Sequence, residues 1–449
     1  MTILLSRISF FNKLQIIRAS NIFYWRFLIF EDILLHMRNH LGWVWTVIIA
    51  LLAIYYMIVS IHLLVSSRRR RLTGYILYAV LSALYVGAFL TLRNQNAGGQ
   101  GWLSSVNFAY IIGFTILHIL VTVFFLVDDI RRVITWIVLK GYGISADRDI
   151  TKMDISRSRF LTRAGWIGGI VLFSSFFIGI KNKYNYKIRR VKLKPDSSGA
   201  ALAGLKIVHI SDIHSGSFDD LEAVQRGIDM INEEQPDLIL FTGDIVNNKT
   251  DEIYPVIDTL KQMKAGMGIY ATLGNHDYGD YWEWNSPEDK VANLEELKRV
   301  ITEDLGWRLL MNEHVQVERN NDHFTVLGVE NWGNNMRFPR YGKLKEAYAG
   351  LEVDTGYKIL LSHDPSHWDA QIRPEYPDID LTLAGHTHGM QFGIELSWFH
   401  WSPVQYVYKQ WAGLYTQDKQ KLYVNRGFGF LGYKGRVGIL PEITVIEFE

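Results

Sequence analysis

The stretch DLTLAGHTH, Asp380 to His388, decides how the C-terminal half of this chain is read. Its apolar part, Ile379 to Ala384, has the length of a buried strand, and two histidines stand just beyond its end. The glycine before them permits a tight turn and a close backbone approach. The same pattern recurs upstream. LKIVHI (Leu205 to Ile210) runs into SDIH, and DLILFTGD (Asp237 to Asp244), GIYATLGNHD (Gly268 to Asp277) and YKILLSHD (Tyr357 to Asp364) each end in Asp, His or Asn. Residues 219–234 place Leu221, Val224, Ile228 and Ile231 on one helical face behind an acidic first turn. Helical stretches of crossover length separate the first three strands, which gives βαβ units. Val315 to Val317, Phe324 to Glu330, Leu422 to Asn425 and Ile443 to Phe448 add further strands. The expected domain is α/β, with two packed sheets covered by helices.

In open α/β sheets, ligand sites gather beyond the carboxyl ends of the strands. The polar tips SDIH, TGD, GNHD, SHD and GHTH therefore converge on one rim. His314, His323, His367 and His400 lack that placement and read as surface or hydrogen-bonded residues. A cluster rich in Asp, His and Asn suits divalent cations of intermediate hardness, with manganese favoured and zinc, iron or magnesium possible. The chain has no cysteine, which excludes disulfides, thiolate metal sites and a cysteine nucleophile. So many donors exceed the needs of one ion. Two ions about 3.5 to 4 Å apart, sharing a carboxylate, would use them to clamp a phosphate and activate a water for attack.

The N-terminal part is of a different kind. Of 449 residues, 48% are hydrophobic, and much of that content lies before residue 181. Leu41 to Val65, Leu72 to Leu92, Val106 to Val127 and Ala164 to Ile180 contain no Asp, Glu, Lys or Arg. About 20 apolar residues cross the hydrocarbon layer. Four transmembrane helices are thus expected at about 41–65, 72–92, 106–127 and 160–180, the last borrowing Phe160 to Thr162. Residues 1–40 read as an amphipathic, interfacial segment, 181–203 as a basic linker, and 204–449 as the catalytic domain. The run Arg68-Arg69-Arg70-Arg71 places the first loop in the cytoplasm and, by alternation, the C-terminal domain outside it. SRSRFLTRAG (Ser156 to Gly165) resembles a degenerate twin-arginine export signal. An integral protein of a bacterial cell membrane follows, its catalytic domain extracytoplasmic. A formal net charge of +1 gives no basic stripe, so no nucleic-acid partner is expected. Within the spans only His62 and His118 titrate, which offers a transport function little.

Asp212-x-His214, Gly243-Asp244, Gly274-Asn275-His276-Asp277, His363 and Gly385-His386-Thr387-His388 match, in order, the motifs of calcineurin-like metallophosphoesterases. The C-terminal half resembles that family, and in particular its membrane-associated or exported members that include UDP-2,3-diacylglucosamine hydrolases. YVNRGFG (Tyr423 to Gly429) and LPEITVIEF (Leu440 to Phe448) resemble the end of that subgroup. The resemblance implies a four-layer sandwich of two mixed sheets flanked by helices. It implies that Asp212, His214 and His388 hold one ion, Asn275, His363 and His386 another, and that Asp244 bridges them. Asn275 would also face the substrate. His276 would stabilise the phosphoryl group or protonate the leaving oxygen, with Asp277 orienting it. Where the family often has GDxxD, this chain has GDIVN, with Asn247 in the last place. Arg426 could bind a substrate phosphate through its planar fork, or pair with a structural carboxylate.

Two aromatic stretches bear on the substrate. Trp398, Phe399, Trp401, Tyr406, Tyr408, Trp411 and Tyr415 crowd the segment Met390 to Tyr415, and YGDYWEW (Tyr278 to Trp284) follows the GNHD motif directly. Tyr and Trp favour the membrane–water interface. These loops either touch the bilayer and receive a phosphorylated lipid or lipid precursor, or pack the core of the smaller sheet. The expected activity is a membrane-anchored, dinuclear, metal-dependent phosphohydrolase acting on such a lipid. The alternative is a phosphodiesterase or phosphomonoesterase of soluble or envelope substrates with the helices as an anchor.

Overall fold

The structure, a computed structural model, describes residues 48–94, 102–142, 148–194, 200–334, 338–351 and 356–449. The segment 1–40 and the first residues of the first expected span lie outside them. The chain divides into two compact units, one comprising the chain up to Leu81 with Thr115–Ile170, the other Ser82–Phe114 with Val171–Glu449.

Four helices open the described chain: α1 (Ile48–Leu64), α2 (Arg68–Asn94), α3 (Trp102–Gly141) and α4 (Arg148–Asn182). Arg68–Leu92, Leu103–Gly141 and Ser158–Asn182 are long and apolar enough to cross a membrane, and α1 is a shorter apolar helix. The second, third and fourth expected spans lie inside α2, α3 and α4, and α1 covers the described part of the first up to Leu64, but α3 runs well past Val127. The charges that suggested an end there are accommodated within the helix. Asp128 pairs with Arg131 and Arg132, three and four residues on, where helical neighbours meet. It also accepts the hydroxyl proton of Ser158 from α4.

The C-terminal domain holds two six-stranded sheets. The first contains β1 (Lys187–Leu193), β2 (Lys206–Ile210), β3 (Leu238–Phe241), β4 (Ile269–Ala271), β5 (Arg308–Leu309) and β14 (Glu442–Phe448), in the order β1-β14-β2-β3-β4-β5. The second contains β6 (Glu313–Arg319), β7 (Asp322–Gly328), β8 (Tyr357–Leu361), β9 (Leu381–Ala384), β12 (Gly413–Gln417) and β13 (Gln420–Val424), in the order β12-β13-β9-β8-β7-β6. A separate hairpin pairs β10 (Ile394–Leu396) with β11 (Phe399–Trp401).

Strand alternation explains the layers. In β3, Leu238 and Leu240 face inward with Ile207 and meet Ile359, Leu361, Leu381 and Leu383 of the second sheet. Their neighbours Ile239 and Phe241 face outward and are covered by Val224, Ile228 and Ile231 of α5 (Leu221–Glu233). The outer face of the second sheet, with Leu360, Leu422 and Val424, is covered by Leu344, Ala347, Trp368 and Ile372. Helix, sheet, sheet and helix make the four layers expected. Asp220 caps α5 by accepting the Ala223 N–H at 2.9 Å. Truncating a side chain between the sheets, such as Leu240, costs about 2–5 kcal/mol.

The basic segment read as a linker is a correction. Residues 187–193 form β1, an edge strand parallel to β14 with Lys187 opposite Glu442 and Leu193 opposite Phe448. Its cations find carboxylates: Arg190 pairs with Glu234 at 2.7 Å, Lys192 with Glu449 at 2.5 Å, and Arg189 with Glu395. An edge strand tolerates such charges and is protected by them. Between α4 and β1 stand only Lys183, Tyr184, Asn185 and Tyr186.

Candidate metal centre

Strands β2, β3 and β4 run parallel, as do β7, β8, β9 and β13, so their carboxyl ends bring the polar tips together. The turns that follow are unusual. Asp212, His214, Asp244, His386 and His388 have φ of 53°, 48°, 61°, 69° and 49°. That left-handed conformation costs a non-glycine residue on the order of 1 kcal/mol, and its recurrence at donor residues is the mark of a functional site. Backbone bonds hold the turns: the Asp212 N–H donates to the Gly243 carbonyl at 2.9 Å and the His214 N–H to the Asp244 carbonyl at 3.0 Å. Gly385 is required by packing, since a Cβ there would collide with the Ser211 hydroxyl and the Asp212 carboxylate.

The donors fall into two groups, Asp212 with His214 and His388, and Asp244 with His363 and His386; within each, the candidate ligand atoms lie within 4.8 Å of one another. His214 Nε2 is 3.0 Å from His388 Nε2, which is 3.2 Å from an Asp212 oxygen. His363 donates Nδ1–H to the Thr242 carbonyl at 2.8 Å, so its Nε2 turns inward, 3.1 Å from Asp244 Oδ2. His386 Nδ1 lies 2.9 Å from Asn275 Oδ1 and 3.3 Å from His363 Nε2. Asp244 Oδ2 also lies 3.6 Å from His214 Nε2 and so stands between the groups.

The electrostatics fit cations. Burial opposes charge on Asp212 and Asp244, yet the neighbouring His388 and His363 hold both carboxyls below the usual carboxylate range. Burial alone would keep His363 neutral, but Asp244 pushes it up to about 10. Burial drives His214 down to about 3. Buried carboxylates thus draw a proton onto an imidazole, at a place where several ring nitrogens point the same way. Divalent ions satisfy such an N/O donor set.

Asp277 does something other than orient His276. Its carboxylate accepts the backbone N–H groups of Asp244, Ile245 and Gly274, each at 2.8 Å, and pins the two turns together. Burial, then the Asp244 carboxylate, pushes its pKa up to about 7. His276 instead donates Nδ1–H to the Asn247 carbonyl at 2.7 Å. The departure at Asn247 is therefore served by its backbone, while its side chain donates to the Ser217 hydroxyl at 3.0 Å.

Residues 205–390 match the family model described as calcineurin-like phosphoesterase, and residues 37–183 match the transmembrane domain of a probable calcineurin-like phosphoesterase. A metallophosphoesterase of Bacillus subtilis (strain 168), YkuE, is 32% identical over 255 residues, covering 55% of this chain and 79% of that protein. This chain belongs to the calcineurin-like phosphoesterases. A zebrafish transmembrane protein with a metallophosphoesterase domain is 31% identical over 267 residues, 58% of this chain and 56% of that protein, so the match spans little more than half its length. UDP-2,3-diacylglucosamine pyrophosphatase LpxG of Chlamydia muridarum is 25% identical over 310 residues, covering 58% of this chain and 88% of the relative.

In this calcineurin-like phosphoesterase the other sequence candidates separate. Arg426 is only 4% exposed, and its fork is filled by Glu442, at 2.6 Å, and Glu395, at 2.5 Å. Of its two readings the structural ion pair is the one observed. The aromatic segment is divided: Trp411 is buried, whereas Trp398 and Tyr406 are 81% and 78% exposed. Tyr408, Asp364 and Tyr281 were not singled out as site residues. The Tyr408 hydroxyl lies 2.7 Å from His386 Nε2, Asp364 Oδ2 lies 3.7 Å from the same nitrogen, and Tyr281 accepts from Asn275 Nδ2 at 2.9 Å. Asp364 stood visibly in the SHD tip; nothing about Tyr408 distinguished it from the aromatics around it.

Proposed function

We propose that this protein is a membrane-anchored, metal-dependent phosphohydrolase that cleaves a phosphate ester or pyrophosphate bond in a lipid or lipid precursor, with its catalytic domain on the extracytoplasmic side. One observation carries the lipid reading. The segment that presents Trp398 and Tyr406 to solvent also supplies Tyr408 to the donor cluster. It is anchored beside a membrane helix: Trp401 meets Phe392, whose ring stacks on Phe176 of α4 with centroids 5.4 Å apart. The name of the Chlamydia muridarum relative, a pyrophosphatase of a diacylated sugar nucleotide, points the same way.

In this reading Asp212, His214 and His388 would hold one ion, Asn275, His363 and His386 the other, and Asp244 would be shared. Divalent ions held there, manganese being the best match to the donors, would supply polarisation of phosphoryl oxygens and a water of lowered pKa. The chain supplies the rest. Asp277 fixes the turns, and Tyr281 orients Asn275. His276 keeps its Nδ1 proton on the Asn247 carbonyl. Its Nε2 is left to meet the phosphoryl group or the leaving oxygen. The partly exposed His276 ring lies 4.6 Å from the Tyr281 ring, tilted at 47° to it.

The test is hydrolysis by the full chain, with Mn²⁺, of a panel of lipid phosphates and pyrophosphates beside p-nitrophenyl phosphate, with Asp244→Asn as control. Lipid substrates turned over in preference support the proposal; turnover of soluble esters alone overturns its lipid half. Protease accessibility in sealed vesicles reads the side of the membrane.

A further inference from the structure

The segment Ile394 to Tyr408 has an apolar tip and a packed base. At the tip, Leu396, Trp398, Phe399, Tyr406 and Val407 are exposed. At the base, Val404, Trp411 and Ala412 are buried against Ile439, and the Ser402 hydroxyl donates to the Gly389 carbonyl at 2.8 Å. Tyr408 belongs to both. Its N–H donates to the Val404 carbonyl at 2.8 Å, which ties it to the turn that carries Tyr406 and Val407. Its hydroxyl reaches the donor cluster.

The proton placement follows from ligation. With Nδ1 of His386, turned toward Asn275 and His363, given to an ion, Nε2 would carry the hydrogen and donate it to the Tyr408 oxygen, 2.7 Å away. The Tyr408 hydroxyl then donates to Asp364 Oδ2 at 3.4 Å, and Asp364 is itself fixed by the Ser366 N–H at 2.8 Å. A chain of this kind sets the tautomer and orientation of a ligating imidazole, and losing an outer partner weakens metal affinity by about 10- to 100-fold.

We infer that Tyr408 is a positioning residue that couples the seating of this exposed tip on a lipid surface to the affinity with which Asp244, His363 and His386 hold their ion. The lipid surface is the occupant because the tip continues, through Trp401 and Phe392, into the Phe176 stack on α4, a helix long and apolar enough to cross a membrane. The coupling rests on the membrane reading above; the link from Tyr408 to His386 does not.

The experiment is Mn²⁺ titration of the full chain in detergent and in phosphatidylcholine–phosphatidylglycerol nanodiscs, read by calorimetry and by the electron paramagnetic resonance of bound Mn²⁺. Tyr408→Phe, which keeps the ring, weakens one of two Mn²⁺ sites about 10- to 100-fold and leaves the other unchanged. Asp364→Asn moves the same site in the same direction. A triple tip variant, Trp398→Ser with Phe399→Ser and Tyr406→Ser, binds that ion in nanodiscs no better than in detergent, and adding Tyr408→Phe to it erases any remaining difference between the two media. Unchanged affinities in both Tyr408→Phe and Asp364→Asn overturn the positioning role. Equal affinities for the wild type in detergent and nanodiscs, or a tip variant that matches the wild type in nanodiscs, overturn the coupling. Absence of lipid-phosphate hydrolysis beside an intact Mn²⁺ shift refutes the substrate proposal and leaves this one standing.

Discussion

The two donor groups use the same residue types and differ in what holds them. Asp212, His214 and His388 are buried, and the Asp212 carboxylate is clasped by the His386 N–H at 3.0 Å. Their geometry is set by the ends of β2 and β9. In the other group Asp244 and His363 are equally buried, but His386 is partly exposed and takes its outer partner from the aromatic segment. Asn275, beside it, is steadied by Tyr281 from a second loop. One group is a product of the sheet, the other of sheet and loops together. Loops move more readily than the strands they join, so the second group is where loops can tune affinity.

The sharpest way to break this comparison is at the atom the groups share. Asp244→Asn removes the charge between them, and hydrolysis is expected to fall by on the order of 1,000-fold or more. Metal analysis of the purified variant should show fewer than two ions per chain; two retained ions would mean that the groups are independent. Next comes the brace beneath both. Asp277→Ala strands the buried N–H groups of Asp244, Ile245 and Gly274. At about 1–3 kcal/mol per unsatisfied group, this should lower the melting temperature measured without metal by several degrees. Gly385→Ala tests the first group by itself. Its new methyl presses on Ser211 and Asp212. The expected cost is about 1–3 kcal/mol in thermal or denaturant unfolding, together with weaker binding at the Asp212 ion site. The smallest effect belongs to the loop. Trp398→Ser should change stability by less than about 0.5 kcal/mol, while lowering turnover of lipid phosphates relative to p-nitrophenyl phosphate. Equal loss on both substrates would deny the tip any part in lipid recognition.

The strand-end donors were legible because two signals coincide there. A short continuous apolar run announces the strand, and the polar tip that ends it announces the rim. That is why Asp212, His214, Asp244, His363, His386 and His388 could be expected on one rim, while their division into two groups came from the family resemblance; the structure brings Asp212, His214 and His388 together, and Asp244, His363 and His386. The misreadings have a common source in tertiary partners. β1 looked like a linker because its Lys and Arg residues interrupt the apolar pattern; the carboxylates that answer them lie up to 257 positions away, as Glu449 does from Lys192. Helix α3 seemed to stop at its charges because the pairing with Ser158 on another helix is invisible locally. Asp277 was assigned to its sequence neighbour His276, whereas its bonds go to backbone amides some 30 residues earlier as well as to Gly274. Tyr408 belongs to the same category: a hydroxyl found only by folding.

The junction of α4 and β1 carries a last consequence. Four residues reach about 14 Å at full stretch, and these are not stretched: Lys183 and Tyr184 bond Asp219 at 2.6 and 2.9 Å, and Tyr186 lies stacked on Phe428. Residues 183–186 are therefore part of the folded C-terminal unit and do not form a slack tether.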